Sequence, residues 1–417
     1  MLKKYVQIIS LKLTVACLVC ALILVFVGTL AQVNLGLYLA QEVFYRSIFI
    51  SARDFASFHP NWPDWPFKGS NLSFPVFPGG ILIGGTLLVN LIVSHLVLFK
   101  WTKKRIGIML THIGIILLLL GQMFTEMFQV ESSMRIEEGQ SKNYSESYRT
   151  MELAVIETSH DDFDQVTAFS QSLLTKGAIL ADPGLPFEIK VRRYDLNSDA
   201  SVRAPFRDPP PPGLQGIGRK VKFSSAEEVR GMDTKNVPTA EVGIEFPDGQ
   251  VRSWFVSHWQ TDVNLVRFLT ENRFGPKWGP ILGPALETPQ TFAYEGRQFQ
   301  LWLRPVRYYK PFSIKLKEFR HDKYMGTEKA KNFSSRVQLN NEQTGERRDV
   351  LIKMNSPLRY QGETYYQSGY EGDAVTILQV VRNPSWLVPY VSCVLVGVGL
   401  AVQFLMHLFG FIKKRAA

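Results

Sequence analysis

Four apolar runs interrupt an otherwise mixed chain, at about residues 13–33, 80–99, 106–128 and 386–411. Each is close to the ~20 residues that cross a ~30 Å hydrocarbon core as a helix. The first is longer than the ~7–15 apolar residues of a signal peptide, so it reads as a retained anchor. Between the third and fourth runs the pattern changes to short stretches rich in β-branched and aromatic residues. These fall at 152–157, 187–194, 240–246, 251–257, 298–303, 312–319, 334–339, 364–367 and 375–381. Turn signals such as Pro247-Asp248-Gly249 and Thr344-Gly345 separate several of them.

The predicted fold is therefore a multi-pass membrane protein. Four transmembrane α-helices carry a large, mainly-β, antiparallel sandwich- or barrel-like extracytoplasmic domain inserted between spans 3 and 4. Residues 1–128 form the N-terminal membrane region with an outer loop at 34–79. Residues 129–384 form the β-rich domain, and 385–417 the fourth span with a basic tail. The run of prolines and then glycines at 204–218 predicts a mobile excursion or a boundary between two lobes.

Charge orients this arrangement. Ten of the 47 Lys and Arg residues lie in three clusters against the apolar runs: Lys3, Lys4 and Lys12; Lys100, Lys103, Lys104 and Arg105; Lys413, Lys414 and Arg415. They account for the whole net charge of +10, since 37 acidic residues balance the other 37 basic ones. Positive loops stay in the cytoplasm, which places both termini and the 100–105 loop there and 129–384 outside. A basic face for nucleic acid is excluded, because the outer domain is nearly neutral. A mean hydropathy of −0.02 suits an anchored protein with a large water-exposed part. All three cysteines sit in apolar runs, so the outer domain relies on its core without a disulfide.

His160, His258 and His321 are isolated in the outer domain and read as surface or core histidines. His95, His112 and His407 lie inside apolar runs, where ionisable groups are costly and mark function. Measured from the basic clusters, all three are expected roughly 8–11 Å inside the cytoplasmic boundary. Three imidazoles at one depth under a basic rim suit haem, with imidazole on iron and cations on the propionates. Hydrogen bonding to neighbouring helices explains them equally well. Cys17-Leu18-Val19-Cys20 reads as small apolar filler, and Trp62 and Trp65 as part of an interfacial aromatic belt.

The chain resembles the ResB (CcsB) family of System II cytochrome c biogenesis proteins. The likeness lies in Gly28-Thr-Leu-Ala-Gln32, Arg105-Ile-Gly-Ile-Met-Leu-Thr-His112 and Leu117-Leu-Leu-Leu-Gly-Gln122. It continues in Asn355-Ser-Pro-Leu-Arg-Tyr-Gln-Gly-Glu-Thr-Tyr-Tyr-Gln-Ser-Gly369 and Val380-Val-Arg-Asn-Pro384. The resemblance implies a bacterial inner-membrane subunit working with a ResC/CcsA-type partner. The pair would export haem b and attach it to apocytochrome c outside the cytoplasm. It implies that His112 is an axial ligand of the haem iron and that this chain is not catalytic alone. His95 and His407 join as cofactor ligands through depth only. Two other classes stay open: a membrane-anchored extracytoplasmic binding or sensor protein, and a haem or copper electron-transfer protein.

Overall fold

The computed structural model describes residues 11–58, 74–98, 102–204, 206–229, 235–323, 325 and 330–416. Lys3, Lys4, Lys100, Trp62 and Trp65 lie outside the described residues. Apart from the single turn Ala52–Phe55, the α-helices are α1 (Leu11–Ala40), α2 (Gly80–Val93), α3 (Ile106–Phe128), α4 (Val263–Phe268), α5 (Gly275–Glu287) and α6 (Val388–Ala416). Among the described residues, α1, α2, α3 and α6 with their flanking turns give four segments long and apolar enough to cross a membrane. α1 outruns its expected end and passes into a π turn at Gln41–Tyr45. α6 continues through Lys413, Lys414 and Arg415, which are good helix formers and complement the negative end of the helix dipole.

A glycine at every seventh position fixes how α3 meets α6. Gly107, Gly114 and Gly121 are all buried. A Cβ on Gly114 would lie 2.7 Å from Val396 Cγ2 and 2.9 Å from the Ser392 carbonyl, so the two helices touch backbone to backbone. Gly107 faces Gly399 and Gln403, while Gly121 faces Val388, which makes the pair antiparallel. The basic turn Lys103–Arg105 and the basic end of α6 consequently share one end of the bundle. α1 packs on α2 through Leu24, Val27, Ala31 and Ile83. The Asn90 amide donates to Thr14 Oγ1 across that interface at 2.7 Å.

In chain order the strands from Val130 to Arg382 follow α3 and precede α6. They are β3 (Val130–Glu137), β4 (Ser141–Glu157), β5 (Gln165–Ser170), β6 (Ile179–Leu180), β7 (Ile189–Asp195), β8 (Ser198–Val202), β9 (Val221–Ser225) and β10 (Thr239–Glu245). β11 (Val251–Ser257), β12 (Gln290–Tyr294), β13 (Arg297–Lys323), β14 (Ala330–Asn341), β15 (Glu346–Lys353), β16 (Leu358–Tyr360), β17 (Glu363–Glu371) and β18 (Val375–Arg382) complete the set. β1 (Phe49–Ser51) and β2 (Pro75–Pro78) pair between α1 and α2.

The main antiparallel sheet runs β15-β14-β13-β4-β3-β18-β17-β16 and curls into a nearly closed barrel. Met134, Ile314, Leu339, Tyr365 and Leu378 fill it. Ser335 Oγ on β14 donates across the interior to Gln367 Oε1 on β17 at 2.5 Å, tying far strands together. β4 and β13 run on past the barrel, where the sheet β11-β10-β7-β6 closes a second core around Leu153, Val242, Trp254 and Leu303. β13 is one strand of 27 residues covering both stretches expected at 298–303 and 312–319. Its register shifts between Pro305 and Arg307 and again between Tyr309 and Ile314, re-aiming it from one core to the other.

A third core joins the β8–β9 hairpin to α4 and α5. The segment expected as an excursion or lobe boundary is part of it. Leu214 and Ile217 are only 3% and 4% exposed, and Arg203 reaches Asp208 at 3.2 Å. Apolar anchors inside the Pro/Gly-rich run outweigh the turn signal.

Candidate cofactor site

α2 ends in a π turn, Ser94–Leu98, a distortion that often accompanies functional positions. His95 lies in this turn, and its Nδ1 is 2.8 Å from the Leu91 carbonyl oxygen. A carbonyl only accepts, so His95 Nδ1 carries the proton and a neutral His95 presents a lone pair at Nε2. That lone pair lies 2.6 Å from His112 Nδ1 on α3. The rings are edge-on, with centroids 4.5 Å apart and planes at 88°. His112 Nδ1–H therefore donates to His95 Nε2, and His112 Nε2 is left with a lone pair. This is the tautomer a metal-ligating histidine needs, with its other nitrogen donating to a fixed acceptor.

The pair is half-buried between α2 and α3. His112 precedes Gly114 by two positions, about 200° around the helix, so it points away from α6. Arg105 is seven residues earlier, on the same face and about 10 Å nearer the basic end.

His407 stands apart. It is exposed on α6 and accepts from Gln403 Nε2 at 2.8 Å. Gln403 faces Gly107, so along the bundle axis His407 and His112 are about 13 Å apart at 1.5 Å per residue. The depth expected from the basic clusters assumes that those clusters align across helices. The glycine stripe sets the register instead, and only His95 and His112 share a level.

Outside the helices, each isolated histidine has a local partner. His160 stacks on Phe163, His258 Nδ1 meets Thr261 Oγ1 at 2.7 Å, and His321 packs on Tyr370 with ring centroids 4.2 Å apart. Burial pushes the His258 imidazole below its ordinary range. Tyr365 fills the barrel and donates to Glu363 Oε2 at 2.7 Å, and burial raises its phenol. Cys17 and Cys20 are free thiols, Cys17 packing among the helices. Among the described residues, no group of three or more His, Cys, Asp or Glu could hold a metal ion by itself.

The direct contact between His95 and His112 has a sequence signal. The two are equally far in sequence from Lys103 and Lys104, the basic stretch between the second and third apolar runs, and residues so placed in adjacent antiparallel spans come to a similar level.

Residues 289–377 match the ResB-like family. This ResB-like segment begins with β12 and ends within β18, taking in most of the barrel wall and the block 355–369. The histidine pair lies outside the matched segment. No curated protein matches the chain.

Proposed function

We propose that this protein is the ResB-type subunit of a membrane complex that exports haem and delivers it to apocytochrome c. The ResB-like family is associated with cytochrome c biogenesis, and four apolar helices suit a membrane protein. In this reading haem b is cargo, taken up from the cytoplasmic side. The observation that carries it is the chain from the Leu91 carbonyl through His95 to His112, which leaves a lone pair on His112 Nε2, as iron ligation needs.

The residues fit this cargo. His112 supplies one axial imidazole, and a ResC/CcsA-type partner supplies the position opposite. Arg105, on the face of His112 and at the basic end, meets a propionate. His95 is a positioning residue, since both its nitrogens are engaged. His407 has no role in this site. The outer domain presents apocytochrome c to the partner, and thioether formation belongs to the complex rather than to this chain.

The test is haem content. The protein is purified with its ResC-type partner, and bound haem is measured as the pyridine haemochrome. His112→Ala is expected to lose haem while His407→Ala keeps it; undiminished haem in His112→Ala would rule the assignment out.

A further inference from the structure

The barrel leans over the first turn of α6, and a cleft of about 590 Å³ opens between them. Its lining includes Arg359, Thr364 and Tyr366 from the β16–β17 hairpin and Trp386 and Tyr390 from the entry to α6. Arg359 and Thr364 are cross-strand neighbours, and Tyr366 follows on the same face of the sheet. That face is opposite to Leu358 and Tyr365, which point into the barrel core.

The Arg359 guanidinium lies over the Trp386 ring, 4.5 Å from its centroid. No carboxylate among the described residues pairs with it. The one acidic side chain among the described lining residues, Glu363, is already engaged by Lys310 at 2.5 Å and by the Tyr365 hydroxyl at 2.7 Å. The cleft therefore offers an uncompensated cation held in place by an indole.

Its level in the fold says what anion would reach it. Trp386 and Tyr390 are 49% and 61% exposed, and Val391, Val394 and Val398 continue an exposed apolar surface down α6. Tryptophan and tyrosine at the end of a spanning helix sit at the headgroup level. An anion presented there is a lipid phosphate, with acyl chains free to follow the apolar side of α6. A guanidinium matches a phosphate diester with paired donors. No imidazole, thiol or thioether lines the described cleft.

We propose that this cleft binds the phosphate headgroup of an outer-leaflet phospholipid, pinning the β-domain to the membrane surface. The site is independent of the histidine pair. The full-length protein in mild detergent is titrated with phosphatidylglycerol and its lipid adducts are counted by native mass spectrometry. Arg359→Gln is expected to weaken the tightest-bound lipid about tenfold, as loss of one charge-assisted contact to phosphate does. Arg359→Lys should fall between the two. Tyr390→Leu is the second variant, expected to weaken binding with Arg359 intact.

Inorganic phosphate at the same concentration should not displace the lipid. Full displacement would overturn the assignment in favour of a free-anion site. Equal lipid binding by the wild type and Arg359→Gln would overturn it outright. So would haem binding that is lost in Arg359→Gln while lipid binding is unchanged. Haem held through His112 is expected to be the same in all these proteins, so failure here leaves the haem reading to its own test.

Discussion

His112 Nδ1 and His95 Nε2 are 2.6 Å apart across the α2–α3 turn, and this contact decides which nitrogen of His112 faces outward with a lone pair. A lone histidine on α3 would exchange tautomers and rotamers. Fixed to His95, and through it to the Leu91 carbonyl, His112 is oriented before any ligand arrives.

The first prediction separates positioning from ligation. His95→Leu removes the acceptor for His112 Nδ1–H, and haem affinity should fall about 10–100-fold, the usual cost of losing an outer-shell partner. His95→Gln offers an amide oxygen at a similar reach and should recover most of the loss. Haem titration by absorbance checks both. A His95→Leu protein that binds haem like the wild type would remove His95 from the mechanism. An axial-ligand spectrum that changes in His95→Leu but returns in His95→Gln would identify the effect as electronic rather than a packing defect.

A second prediction concerns the glycine stripe. A side chain at Gly114 would collide with Val396 and the Ser392 carbonyl. Gly114→Leu should destabilise the α3–α6 pair by about 1–3 kcal/mol, typical of overpacking. At Gly84 on α2 an added Cβ would meet nothing within 4 Å, so Gly84→Ala is the neutral control. Thermal midpoints in detergent should drop for the first and hold for the second.

The third prediction lies in the barrel. Lys310 and Glu363 pair at 2.5 Å with side chains only 6% and 13% exposed. Lys310→Met strands a buried carboxylate and should cost about 3–5 kcal/mol, while Lys310→Met with Glu363→Gln should recover much of that. Denaturant unfolding of the four proteins forms the cycle. Equal losses in single and double variants would show that packing, not charge, governs the site.

The helices are the most legible part of the chain, because an apolar run of ~20 residues has few alternatives. Ile106–Phe128 matches its expected bounds, and Val251–Ser257 does so among the strands. What escapes a sequence reading is set by distant contacts. Glu346–Lys353 is too charged to read as a strand, yet it pairs along its length with β14. α4 and α5 lie in a stretch with Pro280 and Pro284, where the pattern predicts no helix. β13 reads as two strands because Pro305 and Pro311 stand between its halves. At the candidate site the histidines are visible as polar intruders in apolar runs. Their partnership depends on the register of α2 against α3, which polar intrusions alone do not state.

The last prediction is a pH dependence in the β-rich domain. His258 sits in the turn after β11, and burial holds its imidazole below the ordinary 6.5; Asp262 and Glu146 oppose that shift and Lys235 adds to it. In the unfolded chain the same ring protonates near 6.5, so between that value and the lower folded one the unfolded state binds the extra proton. Its contribution to stability is complete above about 6.5 and declines as pH falls toward the folded value. His258→Asn keeps a hydrogen-bonding group near Thr261 but cannot titrate. The thermal midpoint of the wild type should therefore fall more steeply than that of His258→Asn from about pH 7 to pH 5. Parallel curves would show that other groups carry the acid sensitivity.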